Sequence, residues 1–225
     1  LLMHVDELLS QERGRRMTMW TSVGEGLRYV RQTPPLMVAL TMFTFIAVFC
    51  INFSVLLPLV ASDTLRAGPE VYGLITACFG AGALVGALLS ASIGRVSWPI
   101  LLMSAAGFGL GEVLLAPQHT VLGVVLLLVA TGIFYTIYTS TTNALVQLSA
   151  PPYLQGRVAG LYTYIFAGSS PIGALIAGGL AAKSGTELAF LVAGATALMC
   201  ALFGAIMWPR VRGYSGPDEV LSKPT

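Results

Sequence analysis

Charge is what this chain has least of. Of its 225 residues only 10% are Asp, Glu, Lys or Arg, against about 25% in an ordinary soluble domain. The net charge of +2 offers no electrostatic footprint for a nucleic acid. Histidine is scarcer still. His4 and His119 stand far apart, so there is no His cluster for a metal and no His near a serine nucleophile. The three cysteines, Cys50, Cys78 and Cys200, are widely spaced without a C-x-x-C pair, which speaks against a disulfide framework and against a zinc site. No catalytic residue, metal site or cofactor is therefore expected. No signal peptide is expected in the first 20 residues, which carry Asp6, Glu7, Glu12 and an Arg cluster instead of an apolar core. The chain does not begin with Met and is expected to belong to something longer.

What is present is apolar surface, at 56% of residues. A soluble domain of this length cannot bury that much and keep a water-compatible exterior. A bilayer removes the difficulty, because the outer face of a membrane protein is as apolar as its core. A spanning helix needs roughly 20 mainly apolar residues, and six segments come to that length: Leu36–Val60, Val71–Ile93, Pro99–Ala116, Val121–Gln147, Val158–Ala182 and Leu188–Trp208. They are too long and too continuously apolar for barrel strands. The breakers lie between them, at Arg66–Pro69, Gly94–Pro99, Pro117–Thr120, Pro151-Pro152 and Lys183–Gly185. The expected fold class is an all-α membrane protein with six transmembrane helices.

Two of these segments repeat one another. Val71–Leu88 reads VYGLITACFGAGALVGAL and Val158–Leu175 reads VAGLYTYIFAGSSPIGAL, 87 positions later. Basic residues set the orientation. Arg13, Arg15, Arg16, Arg28, Arg31, Arg95, Arg157, Arg210, Arg212 and Lys223 fall on one side, and only Arg66 and Lys183 on the other. The positive-inside rule then places both termini in the cytoplasm. With three spans per copy, the second copy runs in the opposite sense to the first, giving an inverted 3+3 repeat of the kind found in transporters. Residues 1–34 read as a cytoplasmic linker. Within it, Trp20, Val23, Leu27 and Val30 form the stripe of an amphipathic surface helix, closed by Pro34-Pro35. Residues 35–209 form the bundle, with repeats at about 35–116 and 121–209, and residues 210–225 a cytoplasmic tail.

Polar and small residues inside the spans are the candidate functional groups. Thr131, Tyr135, Tyr138, Thr139 and Thr142 recur at spacings of 3 and 4 in the fourth span, and Thr44, Phe45 and Asn52 share a face of the first. Such faces avoid lipid and are expected to line a cavity for an uncharged amphiphilic or aromatic solute. The alternative is that their hydroxyls bond back to their own helix carbonyls. Gly82 and Gly86, with Gly168, Pro171 and Gly173 in the repeat-related helix, permit close backbone approach and suggest a sliding or rocking interface. Glu112 is the only acid inside an expected span and so a candidate for proton coupling. Five residues from Pro117, it is also within snorkelling reach of the interface.

Four segments, GLRYVRQTPPL (Gly26–Leu36), NFSVLLPL (Asn52–Leu59), FGAGALVGA (Phe79–Ala87) and PPYLQGRVAGLY (Pro151–Tyr162), resemble the C-terminal half of a major facilitator superfamily transporter. The nearest branch is the enterobactin-exporter-like group, the transmembrane secretion effectors. The resemblance implies six of twelve helices in a bacterial inner membrane, with a missing N-terminal six-helix half as partner. It implies efflux of a small molecule, such as a drug or siderophore, by proton-coupled alternating access. By resemblance the first and fourth spans line the cavity, the second and fifth abut the other half, and the third and sixth face lipid. Arg157, in the Gly-Arg-Val-x-Gly-Leu-Tyr segment, falls at a gating loop. The superfamily's basic loop motif is reduced to Gly94-Arg95 without its Asp, and Ser170 replaces a Gly before Pro171 in the antiporter-type motif. A stand-alone half-transporter that homodimerises, or a non-catalytic membrane assembly protein, is the alternative. A membrane enzyme would need Ser with His, or paired Asp, at membrane depth, and the spans carry neither.

Overall fold

The computed structural model describes residues 19–94 and 96–212, with side chains from Gly24 onward. Most of the linker and of the C-terminal tail, Arg95, and the side chains of Trp20 and Val23 lie outside the described residues. The described chain is helical: α1 (Met19–Gln32), α2 (Pro34–Phe49), α3 (Phe53–Leu59), α4 (Pro69–Ile93), α5 (Trp98–Leu115), α6 (Val121–Leu148) and α7 (Gln155–Arg212). Prolines open α2, α4 and α5 in their first turns, where no intrahelical N–H is lost. Thr120 caps α6 by accepting from the Gly123 amide at 3.3 Å. Gly94 ends α4 at φ 59, a left-handed position suited to glycine.

Three of the expected spans differ in form. The first is not one helix. α2 stops at Phe49, residues 50–52 are non-helical, α3 restarts at Phe53, and a π-helical turn (Val60–Thr64) follows. Asn52 supplies the local reason: its side-chain amide donates to the Val48 carbonyl at 2.8 Å, while its own carbonyl accepts from the amides of Val55 and Leu56. The fifth and sixth are not separated by a loop either. They meet in α7 across a kink, so among the described residues five continuous helical stretches are long and apolar enough to cross a membrane, the two arms of α7 being counted as one. At about 1.5 Å per residue the 58 residues of α7 would measure about 87 Å if straight. Gly185 interrupts them at φ 82 and ψ 168, a conformation nearly confined to glycine, and so makes the turn without leaving loop residues.

The two arms of α7, 155–184 and 186–212, both run beside α2 and α3. Phe43 stacks on Tyr162 of the first arm at 4.3 Å, while its neighbour Met42 packs on Gly204 of the second. At the other end of the bundle Thr64 and Thr186 share a 2.8 Å hydrogen bond between their hydroxyls. α4 packs chiefly on α6, and α5 lies between α6 and α7. Phe53, Phe79, Phe108 and Tyr135 form an aromatic knot across α3, α4, α5 and α6, with centroids 4.5 to 6.0 Å apart. α1 is held against the bundle by the buried residues Gly26, Tyr29 and Val30. Of the expected apolar stripe, Val30 is buried and Leu27 is exposed.

Candidate functional site

A polar, open cleft of about 600 Å³ lies between α6 and the first arm of α7. α6 presents Thr139, Ser140, Asn143, Ala144, Gln147 and Leu148 to it, and Tyr162 faces them from α7. None of these side chains is ionisable except the Tyr162 phenol. The Gln147 amide donates to the Asn143 carbonyl oxygen, so the two amides are held as one unit with donors and acceptors left over. Tyr162 is fixed by its stack on Phe43. The cleft thus offers hydroxyls, amides and one oriented aromatic face, which suits a neutral solute rich in oxygen that also has apolar surface.

The structure divides the residues expected to line a cavity. Thr139 lines the cleft. Thr131, Tyr138 and Thr142 have no exposure at all. The Thr131 and Thr142 hydroxyls donate to the carbonyls of Leu127 and Tyr138, at 2.7 and 2.8 Å. Tyr135 belongs to the aromatic knot. Thr44 donates to the Leu40 carbonyl at 2.8 Å. Phe45 is half exposed in a separate apolar groove of about 390 Å³ between α2 and the second arm of α7. Asn52 is buried at the helix break with its amide against Gly173. Ser140, Gln147 and Tyr162 were not anticipated. Thr136, Ser140, Asn143 and Gln147 lie at spacings of 3 and 4, one step around the helix from the Thr/Tyr stripe, and that second stripe was the available signal.

The small residues also divide. Gly82 and Gly86 meet the backbone of α6, where added Cβ atoms would collide with the carbonyls of Val129 and Ile133. Gly173 sits under the Val48 carbonyl and the Asn52 side chain, at the break in the first span. These close approaches all lie within the bundle. Gly73, Gly80, Gly160, Gly168 and Gly179 have open space in front of them, and Pro171 is exposed. Arg157 forms an ion pair with Glu25 of α1, and Tyr29 of α1 donates to the Ser149 carbonyl at 2.9 Å. α1 therefore ties together the end of α6 and the start of α7.

Glu112 departs from expectation. It does not extend toward an interface; it is 0% exposed, and neither carboxyl oxygen has a well-formed hydrogen bond, although the Cys50 thiol stands next to them. The cause is close helix packing on either side of it. Gly109 and Gly194 press α5 and the second arm of α7 together, and Gly111 sits on Thr131 of α6. The side chain beside it is Cys50, whose thiol donates to the Ala193 carbonyl at 3.1 Å. Among the described residues no group of His, Cys, Asp and Glu side chains is placed to hold a metal ion.

The sequence profile of the transmembrane secretion effectors matches residues 3–216. The chain belongs to this family of the major facilitator superfamily. Macrolide efflux protein A of Streptococcus pyogenes is 28% identical over 180 residues, covering 78% of this chain and 44% of that protein. The multidrug efflux pump Tap of Mycolicibacterium fortuitum is 29% identical over 206 residues, covering 89% of this chain and 48% of the pump. Tap of Mycobacterium tuberculosis is 29% identical over 208 residues, or 91% and 49%. The chain spans about half the length of the curated relatives it matches. No solved structure matches it. The chain is a multi-pass membrane protein of an efflux-transporter family. That family moves solutes and is not one of enzymes.

Proposed function

We propose that this chain is the C-terminal six-helix half of a bacterial inner-membrane exporter. It moves a neutral, macrolide-like amphiphile outward by proton-driven alternating access. The observation that carries the reading is the uncharged cleft on α6, in a chain whose relatives are named for macrolide and multidrug efflux. Thr139, Ser140, Asn143, Gln147 and Tyr162 are the residues proposed to meet the substrate.

Six crossings follow from counting the arms of α7 separately. Each arm is long enough for a bilayer about 30 Å thick, and the second returns along α2 to the level at which the first set out. The 87-residue offset also carries contacts onto contacts. Gly86 on Ile133 becomes Gly173 on residue 46, close to the Val48 that Gly173 meets. Gly109 and Gly194 lie almost at each other's repeat positions. Both correspondences support the proposed inverted pair of three-helix units. With both termini cytoplasmic, the α1 tie to Ser149 and Arg157 lies on the cytoplasmic side, and the Thr64–Thr186 bond and the His119–Glu187 pair at 3.5 Å lie on the outer side. The missing N-terminal half is the proposed partner of the open faces of α4 and the first arm of α7.

The intact protein in liposomes that are acidic inside should accumulate a radiolabelled macrolide. Collapse of the pH gradient with a protonophore should abolish the uptake. Absence of macrolide and dye uptake under every imposed ion gradient would overturn the reading.

A further inference from the structure

The first span breaks where α5 carries its one acid. Cys50 closes α2, and its amide and that of Ile51 both donate to the Ile46 carbonyl, at 2.8 and 3.2 Å. Regular helical bonding resumes only beyond Asn52. Glu112 lies against this break with no exposure, and beside its carboxyl stands the Cys50 thiol, which is already bonded to the Ala193 carbonyl and gives neither oxygen a well-formed hydrogen bond. The other described acids, Glu25, Asp63, Glu70 and Glu187, are exposed or half-exposed.

We propose that Glu112 takes up and releases the driving proton, and that the break at Cys50–Asn52 is the hinge its charge moves. The inference rests on the proton-driven reading above and gives it a site away from the substrate cleft. A buried acid without a well-formed hydrogen bond is costly even when neutral, and far more so when ionised. A fold keeps such a group where another conformation offers it water or donors. The helix break is the nearest element able to change shape, because its backbone is already outside the helical ladder. Groups facing the site are thiols and phenols. Cys50 touches Glu112 from the break, and Cys200 on the second arm of α7 and Tyr138 on α6 stand behind Cys50. α6 also presents Thr131 at Gly111. Among the described residues no Lys, Arg or His joins them, so ionised Glu112 has no counter-ion and must recruit water or backbone amides. Cycling is then a proton bound from outside, a neutral buried carboxyl, and release of that proton to the cytoplasm.

Glu112 acts here through the hinge, as a positioning residue that never meets substrate. Three forms of the intact protein in liposomes test this: wild type, Glu112→Gln and Glu112→Asp. Gradient-driven macrolide uptake should fall about tenfold or more in Glu112→Gln, while gradient-free macrolide exchange stays within about twofold. Glu112→Asp should keep the gradient response with a displaced pH profile. In the wild type, deuterium exchange of amides 50–52, corrected for intrinsic rates, should rise with pH more steeply than in Glu112→Gln. Infrared difference spectra should show a protonated-carboxyl band in the wild type that Glu112→Gln lacks. Unchanged gradient stimulation in Glu112→Gln, or identical exchange of amides 50–52 in both proteins at all pH values, overturns the proposal and leaves the exporter reading intact. Loss of gradient-driven uptake in the wild type itself removes the exporter reading instead.

Discussion

α4 and α5 are neighbours in sequence and opposites in surroundings. The most apolar stretch of α4 has a mean hydropathy of 2.0 and is 17% buried, whereas that of α5 has 1.6 and is 56% buried. In water the order would be the reverse. In a membrane the exterior is the apolar phase, so a helix that faces lipid or another helix bundle stays uniformly hydrophobic. The helix that is surrounded by protein can carry groups lipid would not tolerate. α4 buries only Ile75, Gly82 and Gly86 and exposes Leu74, Leu84, Val85, Leu88 and Leu89. α5 buries Trp98, Ser104, Phe108 and Glu112. Between these two helices, burial marks which one holds polar side chains, and hydropathy alone does not.

The comparison breaks most visibly if the two helices respond alike to truncation. Phe108→Ala on α5 removes a ring at the centre of the aromatic knot and should lower stability by about 3–5 kcal/mol. Leu88→Ala on α4 should stay within about 0.5 kcal/mol. Denaturant titration in detergent micelles separates the two. Equal losses would mean that α4 is packed where the structure leaves it bare.

A pair of glycines on α4 itself sharpens the contrast. Gly82→Val drives a side chain into the Val129 backbone, which cannot swing away, and should cost about 1–3 kcal/mol. Gly80→Val meets open space in this bundle and should leave thermal stability within about 0.5 kcal/mol. It should nonetheless impair transport if that face slides on the missing half. Neutral behaviour of Gly80→Val in both assays would argue for lipid on this face.

The same test can be moved to the first arm of α7. Tyr162 lines the cleft and Tyr164 points outward at 62% exposure. Tyr162→Ala should raise the macrolide KM about tenfold, equivalent to about 1.4 kcal/mol of binding, and Tyr164→Ala should leave KM unchanged. Concentration-dependent uptake into liposomes measures both. The smallest effect belongs to the α1 tie. Glu25→Gln removes an ion pair open to water, and such pairs contribute about 0–1 kcal/mol. The melting temperature should barely move, with any change reduced further at high salt.

Much of the architecture was legible because bilayer thickness imposes a length on every crossing. The limits of α4, α5 and α6 fall within a few residues of the apolar runs, since Pro69, Gly94, Pro99, Pro117 and Thr120 punctuate them unambiguously. The break at Cys50–Asn52 was not legible. An apolar run carries no sign of where a helix is interrupted, and Asn52 read equally well as a cavity ligand. The turn at Gly185 was visible as the breaker Lys183–Gly185, and one left-handed glycine there does the work of several loop residues. Glu112 was misplaced for a related reason. Distance along the helix put it near an interface, whereas the glycines on α5 and α7 that enclose it are 85 residues apart in sequence, Gly109 and Gly194. The Thr/Tyr stripe on α6 lies about one residue step around the helix from the face that lines the cleft.

The claim on which the account turns is that the polar cleft of α6 carries the exported molecule while the bare face of α4 does not. Single cysteines at Asn143 and at Leu88 in the intact protein, labelled with a membrane-impermeant maleimide in inverted vesicles, test it directly. Added macrolide should slow labelling at residue 143 in a concentration-dependent way and leave residue 88 unaffected. Unaltered labelling at residue 143 at saturating macrolide, or equal protection at both positions, would contradict the account.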